Sequence, residues 1–153
     1  MSTETGRLPH VDEHSLVVEA GREDTWRSLL RVVEASVSSG GAPRFARIVG
    51  CADTAPSGPR PLAAGSVLPG FHVAAADAPA ELALAGGHRF SDYALVFRLD
   101  ELGSWRTRLR AETRAEFPGL KGGVYRALVI GTRMHVLVTR RILAGVKRNA
   151  ERS

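Results

Sequence analysis

The sequence predicts an α+β fold in which a curved antiparallel β-sheet wraps around one long C-terminal α-helix. Two observations carry this. Arg126, Arg133, Arg140 and Lys147 recur every seven residues, which at about 100° per residue stacks them along one helical stripe. Residues 91–117 alternate between apolar or small and polar side chains, the pattern of strands with one face in a core and one in water. A one-sided sheet must bury its apolar face, and the closing helix is the element available to cover it.

The helix is expected to start near Leu120, after Phe117-Pro118-Gly119, and to run to Arg152. Opposite its cationic stripe stand Val124, Leu128, Gly131, His135, Val138, Ile142 and Val146, the spacing of a buried face. Arg140, Arg141, Lys147 and Arg148 crowd its C-terminal half, where positive charge suits the helix dipole. The apolar run Ala127–Val138 is no membrane span: Arg133 interrupts it, and a span needs roughly 20 apolar residues. Ile130 and Leu137 fall beside the arginine stripe. The plain reading is two scattered surface hydrophobes; the alternative is a homodimer or partner contact.

Taken in order, residues 1–13 are polar and expected to fray as a disordered tail, leaving 14–153 as a single domain. His14–Glu19 reads as a strand and Gly21 as a turn. Arg22–Val37 reads as an amphipathic helix, with Trp26, Leu29, Leu30 and Val33 on its apolar side. Arg44–Ala52 is the next strand. Asp53–Gly65 holds three prolines and two glycines, so it is a loop, long enough to cover something. Strands follow at Gly65–Ala76, broken by Pro69-Gly70, and at Ala80–Phe90, with a bulge expected at Gly86-Gly87. In Ser91–Asp100 the inward residues are Tyr93, Leu95, Phe97 and Leu99. In Trp105–Phe117 they are Trp105, Thr107, Leu109, Ala111, Thr113, Ala115 and Phe117, and Glu101–Ser104 is the hairpin between the two strands. Several of the inward residues are small, as is Gly131 on the helix, so a cavity between sheet and helix is expected.

Composition excludes several classes. One cysteine, Cys51, leaves no disulfide framework and no cysteine metal cluster. No apolar leader follows Met1, so a cytoplasmic protein is the expectation. The net charge is +5, yet the basic residues are interleaved with Glu and no nucleic-acid motif accompanies them, so no nucleic-acid partner is expected. No phosphate-binding glycine loop and no G-x-S-x-G setting is present, and no cofactor is implied.

The element order resembles the START-type, birch-pollen-allergen-like superfamily, also called SRPBCC or polyketide cyclase-like proteins. Three local patterns carry the resemblance: Gly87-His-Arg-Phe-Ser-Asp-Tyr-Ala-Leu-Val-Phe-Arg-Leu99, Thr107-Arg-Leu-Arg-Ala-Glu-Thr113, and Phe117-Pro-Gly119 leading into the terminal helix. It covers residues 14–150 and implies a helix-grip fold with a hydrophobic cavity between sheet and helix. Members bind lipids, sterols, polyketides or plant hormones, and some are cyclases. The superfamily shares no catalytic motif that transfers residue by residue, and fold alone does not give function.

Among candidates for chemistry, His135 is central on the expected buried helix face. It is a ligand handle or a proton carrier, or more plainly a core histidine satisfied by its neighbours. His88 shares parity with Leu82 and Leu84, with Tyr93 expected beside it, while the direction of His72 is open because Pro69-Gly70 disturbs the register. Zinc on His72, His88 and His135 lacks any supporting spacing, so no metal is expected. Arg106, Arg108, Arg110 and Arg114 read as a solvated outer face partly neutralised by Glu112 and Glu116, or as an anion-binding one.

The expected function is to hold a small hydrophobic or amphipathic molecule as carrier or sensor. Its wall would be Phe71, Leu84, Tyr93, Leu95, Phe97, Leu109, Thr113 and, on the helix, Leu128, Gly131 and Val138, with His135, His88 and Tyr93 orienting the polar end. The alternatives are an aromatase/cyclase-type enzyme and a ligand-free interaction module. A fixed polar pair, His with Tyr or Asp, would favour the enzyme; an all-apolar lining would favour the carrier.

Overall fold

In the computed structural model, the described residues are 3–38, 57–87, 91–117 and 134–152, with single positions 119 and 123. They form α1 (Thr3–Gly6), β1 (His10–Val18), α2 (Arg22–Ser38), β2 (Val67–Leu68), β3 (Phe71–Asp77), β4 (Glu81–Gly87), β5 (Asp92–Gly103), β6 (Arg106–Glu116) and α3 (Met134–Glu151). The strands make one antiparallel sheet in the order β1-β6-β5-β4-β3-β2. The two long helices lie on its inner face, α3 against α2, β1 and β6, and α2 against β5, β6 and β2. The expected strand at Arg44–Ala52, Cys51, the first part of the Asp53–Gly65 loop and most of the chain between 118 and 133 lie outside the described residues.

Helix α2 follows its sequence pattern closely. Trp26, Leu29, Leu30 and Val33 are buried, Glu23 and Asp24 occupy its first turn, and Thr25 donates its hydroxyl to the Gly21 carbonyl. The described part of the following loop is fastened to it. Arg60 donates to Glu34 at 2.6 Å and to the carbonyls of Ser57, Pro59 and Val67, while Leu62 enters the core. Ser66 is fully buried and donates its hydroxyl to Pro59 O, a structural role.

Three expectations are corrected. From Thr3 on, the N-terminal residues do not simply fray: α1 and the segment after it lie on the outer face of the sheet, and β1 begins at His10. Arg114 fastens this segment by donating to Leu8 O at 2.7 Å, and Ala115 N donates to Pro9 O. That outer face is therefore only partly in water. Ala83, Ala85, Ala94, Val96 and Glu112 are buried there, the small alanine side chains leaving room for the chain above. Trp105 does not face the core. It sits in the β5–β6 turn, 77% exposed, because the alternation that places Thr107 inward stops where the hairpin reverses.

The third correction is the face of α3. Its buried residues are Thr139, Ile142, Leu143, Val146 and Ala150, whereas Val138 is 49% exposed. At about 100° per residue that stripe centres roughly a quarter turn from Val138. Packing against α2 pulls Leu143 and Ala150 inward and swings Val138 out. Leu137 is exposed, as its place beside the arginine stripe predicts. Val138→Asp is accordingly expected to change stability by no more than about 0.5 kcal/mol, measured by urea unfolding. On the opposite side Lys147 donates to Val17 O at 2.9 Å, fastening α3 to the edge of β1.

Candidate functional site

The strand register builds the inner face in transverse rows. Leu16, Leu109 and Leu99 share one row; His14, Ala111, Phe97 and Leu82 the next; Asp12, Thr113, Leu95 and Leu84 the third; and Ala115, Tyr93 and Gly86 the fourth. Side chains directly opposite across paired strands point to the same side, so all of these face the helices. Burial changes along the rows. Leu109, Ala111, Phe97 and Leu82 are sealed beneath α2 and the C-terminal half of α3. From the third row on, Thr113, Leu95 and Tyr93 keep contact with solvent, and Phe71 on β3 does so too. The sheet thus offers a sealed core at one end and a partly uncovered apolar wall at the other.

At this open end Tyr93 and Phe71 meet edge to face, with ring centroids 5.2 Å apart. The Tyr93 ring lies across Gly86 and donates its hydroxyl to the Gly70 carbonyl. A Cβ on Gly86 would stand 2.7 Å from the ring and closer still to that carbonyl oxygen. Gly86 is therefore a platform for Tyr93 rather than a bulge; β4 and β5 pair in continuous register through it. The Tyr93 hydroxyl, expected to orient a ligand, is engaged with the backbone.

Of the other sequence candidates, Phe71, Leu95, Phe97, Leu109 and Thr113 all stand on the inner face, and Val138 does not stand against it. His88, Leu128 and Gly131 lie outside the described residues, as does the side chain of His135. His72 pairs with Ala85 and stands on the outer face. Among the described residues no group of three or more His, Cys, Asp or Glu is placed to hold a metal.

The residues that sequence reasoning missed are Asp12 and His14. His14 Nε2 lies 3.3 Å from Asp12 Oδ2, and the pair occupies neighbouring rows on the inner face, beside Ala111 and Thr113. The signal was the parity of His14 with Leu16 and Val18; the assumption of a frayed tail stopped the strand short of Asp12.

A separate cleft of about 470 Å³ opens at the end of β4–β6, lined by Arg7, Leu8, Ala85, Gly86, Asp92, Tyr93 and Glu116. It lies between the N-terminal segment and the strand ends, with residues of both sheet faces in its wall, and is not a space under α3.

No protein-family model matches the sequence, and no curated protein does. Solved structures do match in fold. The aromatase/cyclase Zhui from Streptomyces sp. R1128 aligns over 95% of each chain at 17% identity and a TM-score of 0.56. Truncated norcoclaurine synthase from Thalictrum flavum aligns over 95% of this chain and 94% of its own at 14% identity and 0.55. A Thermus thermophilus protein, TTHA0849, aligns over 93% of this chain and 97% of its own at 16% identity and 0.52. At these identities the likeness is one of fold. Among the described residues no helix is long and apolar enough to cross a membrane.

Proposed function

We propose that this chain, which has the helix-grip fold of the START-type, birch-pollen-allergen-like (SRPBCC, polyketide cyclase-like) superfamily, holds a small hydrophobic or amphipathic molecule between its sheet and C-terminal helix, as a carrier or sensor. One observation supports this above the others. Phe71, Tyr93, Leu95 and Thr113 remain partly exposed on a wall whose adjoining residues Leu84 and Phe97 are fully buried. A ligand covering that wall gains on the order of 25 cal/mol per Å² of apolar surface before association costs. Displacement of a fluorescent lipid analogue is the test, with native mass spectrometry of protein purified from its own host as a second arm. A displaceable probe and a co-purified mass are expected. No probe binding, together with an apo mass after challenge with lipids and polyketides, would move the reading to an interaction module.

The second reading is an enzyme of the aromatase/cyclase type. The Asp12–His14 pair favours it, because a fixed imidazole–carboxylate pair beside an apolar wall is a means of moving protons. The names of the similar structures point the same way. His14→Ala separates the two readings. A carrier is expected to lose no more than about tenfold in affinity, the worth of one hydrogen bond, whereas an enzyme using His14 to move protons loses turnover far more than binding.

A further inference from the structure

We propose that His14, oriented by Asp12, is the polar anchor of the ligand site and that it accepts the hydroxyl proton of a phenol or enol. The proposal rests on the reading of the inner face as a ligand site and adds the chemistry of the ligand's head group. Three observations support it. First, the register sets His14 beside Ala111 and Asp12 beside Thr113, where the fully buried part of the wall gives way to the exposed part. A bound apolar body lying on Leu95 and Phe71 would bring its polar end to this boundary. Second, both side chains are accessible without being free: 22% of His14 and 26% of Asp12 is exposed, and each holds the other at 3.3 Å. Third, two further polar groups of the inner face are already engaged within the protein. Thr107 donates to Ala20 O at 2.9 Å, and Tyr93 donates to Gly70 O.

The chemistry follows from the contact atom. Asp12 faces Nε2 of the imidazole, so in the neutral ring the tautomer with its proton on Nε2 is the one that donates to the carboxylate. Nδ1 then carries the lone pair and is an acceptor. An acceptor of this kind discriminates by donor strength, and phenolic or enolic hydroxyls are stronger donors than aliphatic ones. The charge of Asp12 acts in the opposite sense on anions, so a ligand headed by a carboxylate is disfavoured. The site is therefore tuned to a neutral apolar body with an acidic hydroxyl, and against free fatty acids.

The experiment compares 2-naphthol with 2-methylnaphthalene, which has nearly the same shape and no hydroxyl, by fluorescence titration of the full-length protein. In the wild type 2-naphthol is expected to bind about tenfold more tightly, the worth of one hydrogen bond. His14→Leu is expected to erase that preference while leaving 2-methylnaphthalene within about twofold, and Asp12→Asn to reduce it about threefold. Equal loss of both probes in either variant would mean that the pair serves packing, and the proposal falls. No preference in the wild type, or a preference that survives both substitutions, overturns it while leaving the ligand site intact. Failure of both probes to bind the wild type removes the ligand site itself and the proposal with it.

Discussion

Glu112→Gln is expected to destabilise the fold by roughly 3 kcal/mol at neutral pH, read as a lower urea midpoint at unchanged slope. Glu112 stands on the outer face of β6 beneath the N-terminal segment, and only 7% of it is exposed. His10 Nδ1 lies 2.6 Å from Oε2 and Arg98 Nη1 lies 3.0 Å from Oε1. Arg114 Nε stands 3.3 Å from Oε2, and Arg98 also reaches Glu81 at 3.5 Å. The carboxylate thus joins β1, β5 and β6 on one face. A glutamine keeps the shape but leaves two guanidiniums beside a neutral partner, and breaking a buried ionic cluster on one side costs more than the cluster contributes net.

The same group makes stability depend on acid. Burial alone would raise the Glu112 pKa, but the hydrogen bonds from His10 and Arg98 and the nearby charge of Arg114 outweigh it and lower the value from its ordinary 4.5 to about 2. The ionised form is therefore held more tightly in the folded chain than in the unfolded one. Its contribution is fully present above about pH 4.5 and is lost as the pH falls from there toward about 2. Held at about 2, the carboxyl contributes roughly 3 kcal/mol at neutral pH. The wild type is expected to lose stability more steeply than Glu112→Gln across that window, so that the two unfolding curves converge in acid. Curves that stay parallel from pH 6 to pH 2 would show that the cluster does not behave as a linked ionic unit.

That cluster marks where the sequence was readable and where it was not. The β5 and β6 alternation was legible because Tyr93, Leu95, Phe97 and Leu99 face one way over the whole strand, and a single slip would expose all four. The outer face misled because Ala83, Ala85 and Ala94 look like indifferent small residues. Their smallness is what admits the N-terminal segment, and that segment is held through its own backbone carbonyls, which leave no side-chain signature. Val138 misled for a different reason. Periodicity fixes the repeat of a helix, but its rotation is set by α2, a partner far away in sequence. The sequence also carried the inner wall, including Phe71, Leu95 and Thr113, as a set of parities. The Asp12–His14 pair needed β1 to extend to His10, and polar composition had argued against that.

Gly86→Ala is expected to cost roughly 2–4 kcal/mol and to open the exposed end of the inner wall. The added methyl would collide with Gly70 O and, at 2.7 Å, with the Tyr93 ring, and no side-chain adjustment alone relieves both, since one neighbour is backbone. Either the β3 edge moves away from β4 or the Tyr93 ring leaves its platform. In both cases the hydroxyl bond to Gly70 and the edge contact with Phe71 are lost together. Tyr93→Phe isolates the smaller part, about 1 kcal/mol for the hydroxyl bond, with the ring still seated on the glycine. Tyr93→Ala combined with Gly86→Ala tests the origin of the cost. Removing the ring relieves one of the two collisions, so the alanine should cost less in that background than in the wild type, and the difference is the coupling between ring and platform. Urea unfolding of the four proteins measures it. A Gly86→Ala cost that is the same with and without the ring would assign the whole penalty to the Gly70 backbone, and Tyr93 would then be a passenger on the wall rather than the residue that Gly86 is there to seat.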